Sequence, residues 1–350
     1  MTINHPTISQ NGVIRPTNVE VNLDRLTQNY AAIADHVSPA KVMVILKANA
    51  YGHGMVQVAH HLVSIGVDYL GVAVLEEGIL LRESGIKAPI LVLGGIIGNQ
   101  VPLFLDHDLT LTASSTEKLQ QINEAAKARG VTARVHLKVD TGMERIGVHY
   151  YNADSLLEAS LTCSHIEVEG IYSHFANSDA LDLDSARIQL QRFEQVLSFY
   201  EDRDLPYPPL RHMANSGAIL QLPESHFDMV RPGILLYGVY PSDEAERSIA
   251  IQPAMSWKSR VVYFKVVKPD HPVSYGSTWQ SDRLTRVVTV PVGYGDGYFR
   301  AMSGQAEVII RGKRYPTIGR ICMDQLMVNI SWETAYNNDE VILLGEDVTT

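Results

Sequence analysis

At 350 residues, 45% of them apolar and 19% charged, the chain is long enough for one large domain and a smaller one around sizeable cores. A net charge of −10 with no block of basic residues argues against a nucleic-acid or anionic-membrane partner. The polar opening, residues 1–16, lacks the apolar core of a signal peptide, and the longest apolar stretch, 89–97, is too short to cross a bilayer, so a cytoplasmic enzyme or binding protein is expected.

In chain order, residues 18–22 read as a short strand ahead of everything else. From there, strand-like apolar runs at 42–46, 69–74, 90–93, 109–112, 133–139, 167–173, 210–213 and 228–230 alternate with helical periodicity, as at 55–66, 76–84, 116–130 and 185–202. Most runs are continuous and β-branched, the pattern of strands buried on both faces. Strand and helix alternating about eight times favour an α/β fold of the (β/α)8 barrel type over a doubly wound open sheet. After Pro241 the texture changes to strands with turns, at 259–267, 284–292, 306–312, 323–330 and 340–344. The expected division is therefore a barrel over 18–240 and a β-strand domain over 241–350, accompanied by the N-terminal segment 1–17.

Chemistry-bearing residues gather at the carboxyl ends of the barrel runs, where such barrels build their sites. Lys47 opens the segment KANAYGHG directly after the first run, where a lysine can form a Schiff base with an aldehyde. A lone lysine is more often a snorkelling surface group, but the small residues and glycines around this one suit a tightly packed site. Run five leads into KVDTGMERIG with Lys138 and Arg145, run six ends at His174, run seven leads into HMANSG with Asn215 and Ser216, and run eight ends in RPG with Arg231 and Gly233. Asn215 and Ser216 suit a helix start, either as a plain cap or as a phosphate site on amides and hydroxyl. In the β-rich part, the segments VSYGST with Tyr275, VGYGDGY with Tyr294 and GRICMDQ with Met323 stand out. Taken singly, Tyr275 reads as a cross-strand aromatic, and Cys322 and Met323 as core filling. No metal is expected.

The KANAYGHG, RPG and CMDQ segments in this order resemble the alanine racemases, enzymes of the fold-type III pyridoxal-phosphate group, over residues 15 to the end. The resemblance implies a barrel plus β-domain homodimer with shared active sites. It also implies pyridoxal 5′-phosphate as cofactor and a two-base interconversion of L- and D-alanine that supplies D-alanine for peptidoglycan. On it, Lys47 and Tyr275 are the catalytic bases, Lys47 also carrying the cofactor and Tyr275 coming from the partner. Tyr51 and Asn215 belong to the cofactor pocket, and Ser216 with the amides of Gly233 and Ile234 binds the phosphate. Arg231 faces the pyridine nitrogen with His174 hydrogen-bonded to it. Arg145 sits at the cofactor's phenolic oxygen and, with Met323, at the substrate. Lys138 matches a lysine often carbamylated, and Asp179, Tyr294, Arg300 and Arg320 match the entryway.

Two departures from the pattern stand out. The family's chain runs past Glu346 to a tyrosine that touches the cofactor phosphate, whereas this sequence stops at Thr350, so a truncated and less than fully active chain is expected. Glu144 stands where a glycine is more usual, with little consequence expected for the chemistry. Alternatives are a broad-specificity racemase, a decarboxylase of the same fold type, and a non-catalytic cofactor-homeostasis protein. Arg231, in place of an acidic residue, argues against the decarboxylase. Tyr275 and Met323 argue against the homeostasis protein.

Overall fold

The computed structural model describes residues 15–345. Residues 1–14 of the expected N-terminal segment, and the chain end at 346–350, lie outside these. The chain divides into two compact units, residues 23–252 and, among the described residues, 15–22 with 253–345. The boundary expected after residue 240 thus falls after Gln252, because 241–252 is tied back onto the larger unit. Ser242 and Ser248 donate hydroxyl hydrogen bonds to Asp179 and Leu220 carbonyls, and Asn29 Nδ2 donates to Gln252 O at 2.9 Å.

The larger unit is a barrel of parallel strands. One arc runs Met229–Val230, Lys41–Ile45, Tyr69–Val72, Ile90–Val92, and the other Leu111–Ala113, Ala133–Asp140, Ile166–Tyr172, Leu210–His212. A parallel bridge from Leu91 to Thr110 joins the arcs at one seam. At the other, Asp228 N donates to Arg211 O at 3.1 Å. All eight apolar runs form these strands. Lys41–Ile45 is buried from Val42 onward, so its uninterrupted VMVI follows from having helices outside and barrel core inside. Helices close locally as their sequences dictate. Thr116–Arg129, for example, starts with Ser115 Oγ accepting from Lys118 N at 3.1 Å and ends on Gly130 in the left-handed region. Among the described residues no helix is long and apolar enough to cross a membrane.

The smaller unit is an antiparallel sheet in the order Asn18–Val21, Met255–Arg260, Glu340–Leu344, Glu307–Ile310, Lys313–Ile318, Leu326–Ser331, Thr285–Val290, Tyr263–Val267. The early strand at 18–21 therefore belongs to this sheet, paired antiparallel with Met255–Arg260. The single strand expected over 259–267 is two, because the chain leaves the second strand of the sheet at Arg260 and re-enters at Tyr263 as the far edge strand beside Thr285–Val290. Val288, Val308, Ile310, Leu326, Val328 and Val341 form the center of this unit's core.

Candidate active site

Lys47 lies two residues beyond its strand, at the start of an unusual turn. Ala48, Asn49, Ala50 and Tyr51 all hold φ between 52° and 56°, a left-handed turn made without glycine. Such a conformation costs roughly 1–2 kcal/mol per residue, so the surroundings must over-determine it. The Glu77 carboxylate accepts from Ala48 N at 2.6 Å and also from Ala73 N at 2.8 Å, while Asn49 Oδ1 accepts from Met55 N at 2.8 Å. The turn is thereby pinned to the next two helices. Burial, and then the charge of Arg145, lower the pKa of Lys47 from its usual value, with Glu77 working the other way. A larger neutral fraction makes this amine a better nucleophile.

Arg145 is placed by an acceptor hub. Asp140, the last residue of its strand, takes hydrogen bonds from the backbone N–H groups of Gly142, Met143 and Glu144 at 2.8, 2.9 and 3.1 Å on Oδ1, and of Arg145 at 3.0 Å on Oδ2. Burial works to raise the Asp140 pKa, but these amides and Lys138 outweigh it and hold the carboxyl below the usual range. Within this loop Glu144 has φ 55°, a left-handed conformation that favours glycine. Asp140→Asn keeps one acceptor oxygen and turns an NH2 group toward an amide N–H. We expect it to cost about 1–3 kcal/mol in urea unfolding, and a midpoint equal to wild type would show the hub to be dispensable.

Deeper in, Arg231 is buried and donates through Nη1 to His212 Nδ1 at 2.8 Å, and through Nη2 to Ser173 O, His174 Nδ1 and Met213 O at 2.9, 3.0 and 3.1 Å. Burial pulls its pKa to about 10, still fully protonated at neutrality. Burial and the positive charge of Arg231, with Lys138 and others behind it, push His174 and His212 well below the normal histidine value, so both rings are neutral acceptors. Lys138 lies 4.8 Å from the Tyr172 ring center, and its pKa is pulled to about 7 by burial and then by Arg231. At that value the amine is substantially neutral, the form that reacts with electrophiles.

At the opposite wall Asn215 caps the helix Ser216–Gln221, accepting from Ala218 N at 3.2 Å. Ser216 Oγ accepts from Gly233 N at 3.0 Å and Leu235 N at 3.3 Å. A Cβ at Gly233 would lie 2.5 Å from the Tyr51 hydroxyl, so only glycine lets these two elements meet. Lys47, Tyr51, Lys138, Arg145, His174, Asp179, Asn215, Ser216, Arg231, Gly233 and Ile234 all line one cavity of about 600 Å³ at the carboxyl ends of the strands. Two arginines and two lysines against one carboxylate make it a site for an anionic ligand.

In the β unit the remaining candidates share a set of adjoining loops. Tyr294 N and Gly295 N donate to Cys322 O and Met323 O at 3.0 and 2.7 Å, and Ser274 Oγ donates to Arg320 O at 2.5 Å, which sets the Tyr275 loop beside Arg320. Ile321 N donates to Ser303 Oγ at 3.0 Å, tying in the turn that carries Arg300. Tyr275 and Met323 are exposed, at 70% and 61%. Sequence reading missed Asp140, Glu77 and His212. The first was visible as the aspartate closing a strand before Thr-Gly. His212 acts through partners remote in sequence, and Glu77, whose bond to Ala73 N is local, holds the turn through the remote Ala48 N.

The alanine racemase N-terminal domain profile matches residues 21–241 and the alanine racemase C-terminal domain profile residues 254–350. Alanine racemase 2 of Caldanaerobacter subterraneus is 44% identical, covering 95% of this chain and 86% of its own. An alanine racemase of Carboxydothermus hydrogenoformans is 43% identical over 95% and 90%. Among solved structures, alanine racemase of Clostridium difficile superposes with a TM-score of 0.89 at 37% identity, covering 97% of this chain and 89% of that one. Alanine racemase of D-cycloserine-producing Streptomyces lavendulae superposes with a TM-score of 0.90 at 35% identity, over 96% and 89%. Profiles spanning both units, relatives above 40% identity and a cavity with this residue set agree: the chain belongs to the alanine racemase family.

Proposed function

We propose that the chain interconverts L- and D-alanine in the cavity of its barrel, with pyridoxal 5′-phosphate as cofactor. The observation that carries this reading is the single cavity shared by a lysine of lowered pKa, a buried donor-only arginine and the Ser216–Gly233 cradle. These residues fit that cofactor. Ser216 with the amides of Gly233 and Ile234 suits a phosphate, Lys47 suits its aldehyde, and Arg231 suits its ring nitrogen. When bound, the pyridoxal ring supplies the electron sink that acidifies the α-carbon of the amino acid.

Lys47 Nζ, with its lowered pKa, serves one face of the α-carbon, so that a proton removed there is replaced by one delivered on the opposite face, and the reverse direction exchanges the two roles. The partner's Tyr275 hydroxyl does the same on the other face, so the chain works as a homodimer with shared sites. Arg145 and the backbone of the partner's Met323 hold the substrate, with Tyr294, Arg300, Arg320 and Asp179 along its entryway. Arg231 has no lone pair to accept a proton and no tendency to give one up. It therefore leaves the ring nitrogen unprotonated, which limits the sink and favours return of the proton over side reactions.

Borohydride treatment of the purified protein should fix the cofactor on Lys47, and incubation with L-alanine should approach equal amounts of the two enantiomers by chiral chromatography. A label mapped to any other lysine would overturn the Lys47 assignment. For the shared site, exchanging subunits between inactive Lys47→Ala and Tyr275→Phe proteins should rebuild one intact site per mixed dimer. Proven exchange without recovered activity would mean that each chain builds its own site.

A further inference from the structure

We propose that His136 and Glu169, neither of which lines the cavity, are positioning residues for Arg231. With His212 they line up behind the guanidinium: two hydrogen bonds run one way through the barrel interior as far as His136, whose outer ring nitrogen faces the Glu169 carboxylate at 3.7 Å. The inference rests on the reading of Arg231 as the residue that addresses the cofactor ring, and deepens it.

The direction follows from elementary valence. A guanidinium only donates, so His212 Nδ1, 2.8 Å from Nη1, must accept. A neutral ring accepting at Nδ1 carries its proton on Nε2. That nitrogen lies 2.8 Å from His136 Nδ1, which must accept in turn and leaves the His136 proton on Nε2. His136 Nε2 faces Glu169 Oε2 at 3.7 Å. The same carboxylate oxygen accepts from the Tyr69 hydroxyl at 2.9 Å and from Thr110 Oγ1 at 3.1 Å, and Arg134 Nη1 stands 4.0 Å from its other oxygen. Burial works to raise the Glu169 pKa, but the His136 ring and the Tyr69 hydroxyl hold the carboxyl below its usual range, so the series ends on an anion. Reversing the His212 tautomer would set its N–H against an N–H of Arg231, and reversing that of His136 would set its N–H against the N–H of His212.

Packing leaves the tautomer as the remaining variable. The Tyr172 ring lies on His212 at 4.8 Å and 4°, and the Tyr172 hydroxyl is held by Thr112 at 2.9 Å. Opposite His136 in the strand pairing is Gly170, where a Cβ would sit 2.6 Å from His136 Nδ1. The ring of His136 fits only because that side chain is missing. With both rings fixed in plane, the carboxylate supports from the far end the same tautomer of His212 that Arg231 requires from the near one.

The test is the ring ¹⁵N spectrum of the full-length protein near neutral pH, which needs no substrate and so decides the relay whatever the racemisation assay returns. His212 and His136 should both carry the proton on Nε2. In His136→Asn the side-chain oxygen takes the place of Nδ1 and should keep the His212 tautomer, as Glu169→Gln should keep that of His136. His136→Leu and Glu169→Leu should release them, with kcat for alanine falling about tenfold and KM little changed, and the amide variants recovering most of the loss. A proton on Nδ1 of His212 in the wild type would overturn the proposal. So would leucine variants that retain the wild-type tautomer of His212.

Discussion

Replacing Arg231 with glutamate should slow racemisation on the order of a hundredfold or more, the usual effect of losing one oriented donor in a closed site, and should raise pyruvate formation from alanine above background. A carboxylate there can share a proton with the ring nitrogen, which strengthens the electron sink and lengthens the time in which the proton returns to the wrong atom. Energy gained in the intermediate is not gained in the flanking barriers, so the rate falls even as the sink improves. Stability should fall as well. His212 and His174 can turn their tautomers to donate to a carboxylate, but Ser173 O and Met213 O lose their donor, at about 1–3 kcal/mol for each buried acceptor left unmade. Arg231→Lys is the control. An ammonium keeps the charge but cannot span both histidines, and burial will depress its pKa as it does for Lys138. It should therefore restore the product pattern more than the rate. If the glutamate variant folds, binds cofactor and forms no extra pyruvate, the arginine serves packing alone.

The barrel was legible in the sequence because its strands are buried on both faces and so announce themselves as unbroken apolar runs. The β unit was less so. Lys313–Ile318 went unread because its first four residues, Lys, Arg, Tyr and Pro, are largely exposed and carry no alternation. The break at Val261 and Val262 is invisible because apolar residues continue through it. At the site, Lys47, Lys138, Arg145, His174, Ser216 and Arg231, read from position and type, all line one cavity, whereas Asp140 and His212, which also close strands, were passed over. The turn after Lys47 was not readable, since Ala, Asn, Ala and Tyr give no sign of left-handed backbone until Glu77 is folded against it. The pairing of His212 with His136 depends on the registers of two strands with a third between them, Ile166–Tyr172, which no local pattern encodes.

The same buried histidines should make the protein sensitive to mild acid. His136, His174 and His212 are all held below the usual histidine pKa, by burial first, with the Arg231 charge acting the same way and, at His136, opposed by Glu169. Above about pH 6.5 these rings are neutral in both the folded and unfolded states and contribute no slope. Below it the unfolded chain binds protons that the folded chain refuses, so stability falls with falling pH until the folded values are reached. Each ring is worth about 1.4 kcal/mol per pH unit in that window, roughly 4 kcal/mol for the three together. Lys138, pulled to about 7, is protonated in both states there and adds slope only above pH 7. The lowered carboxyls of Asp140 and Glu169 act in the same direction as the histidines, but only below about pH 4, where their unfolded counterparts begin to protonate. Unfolding at pH 5.5 should accordingly take up close to three protons in a pH-stat from these rings, with His53 and His226, also lowered by burial, adding to the total, and His136→Asn should remove about one. Uptake of fewer than about one proton in the wild type would mean that the three rings are charged in the folded protein, against the acceptor roles that Arg231 imposes on them.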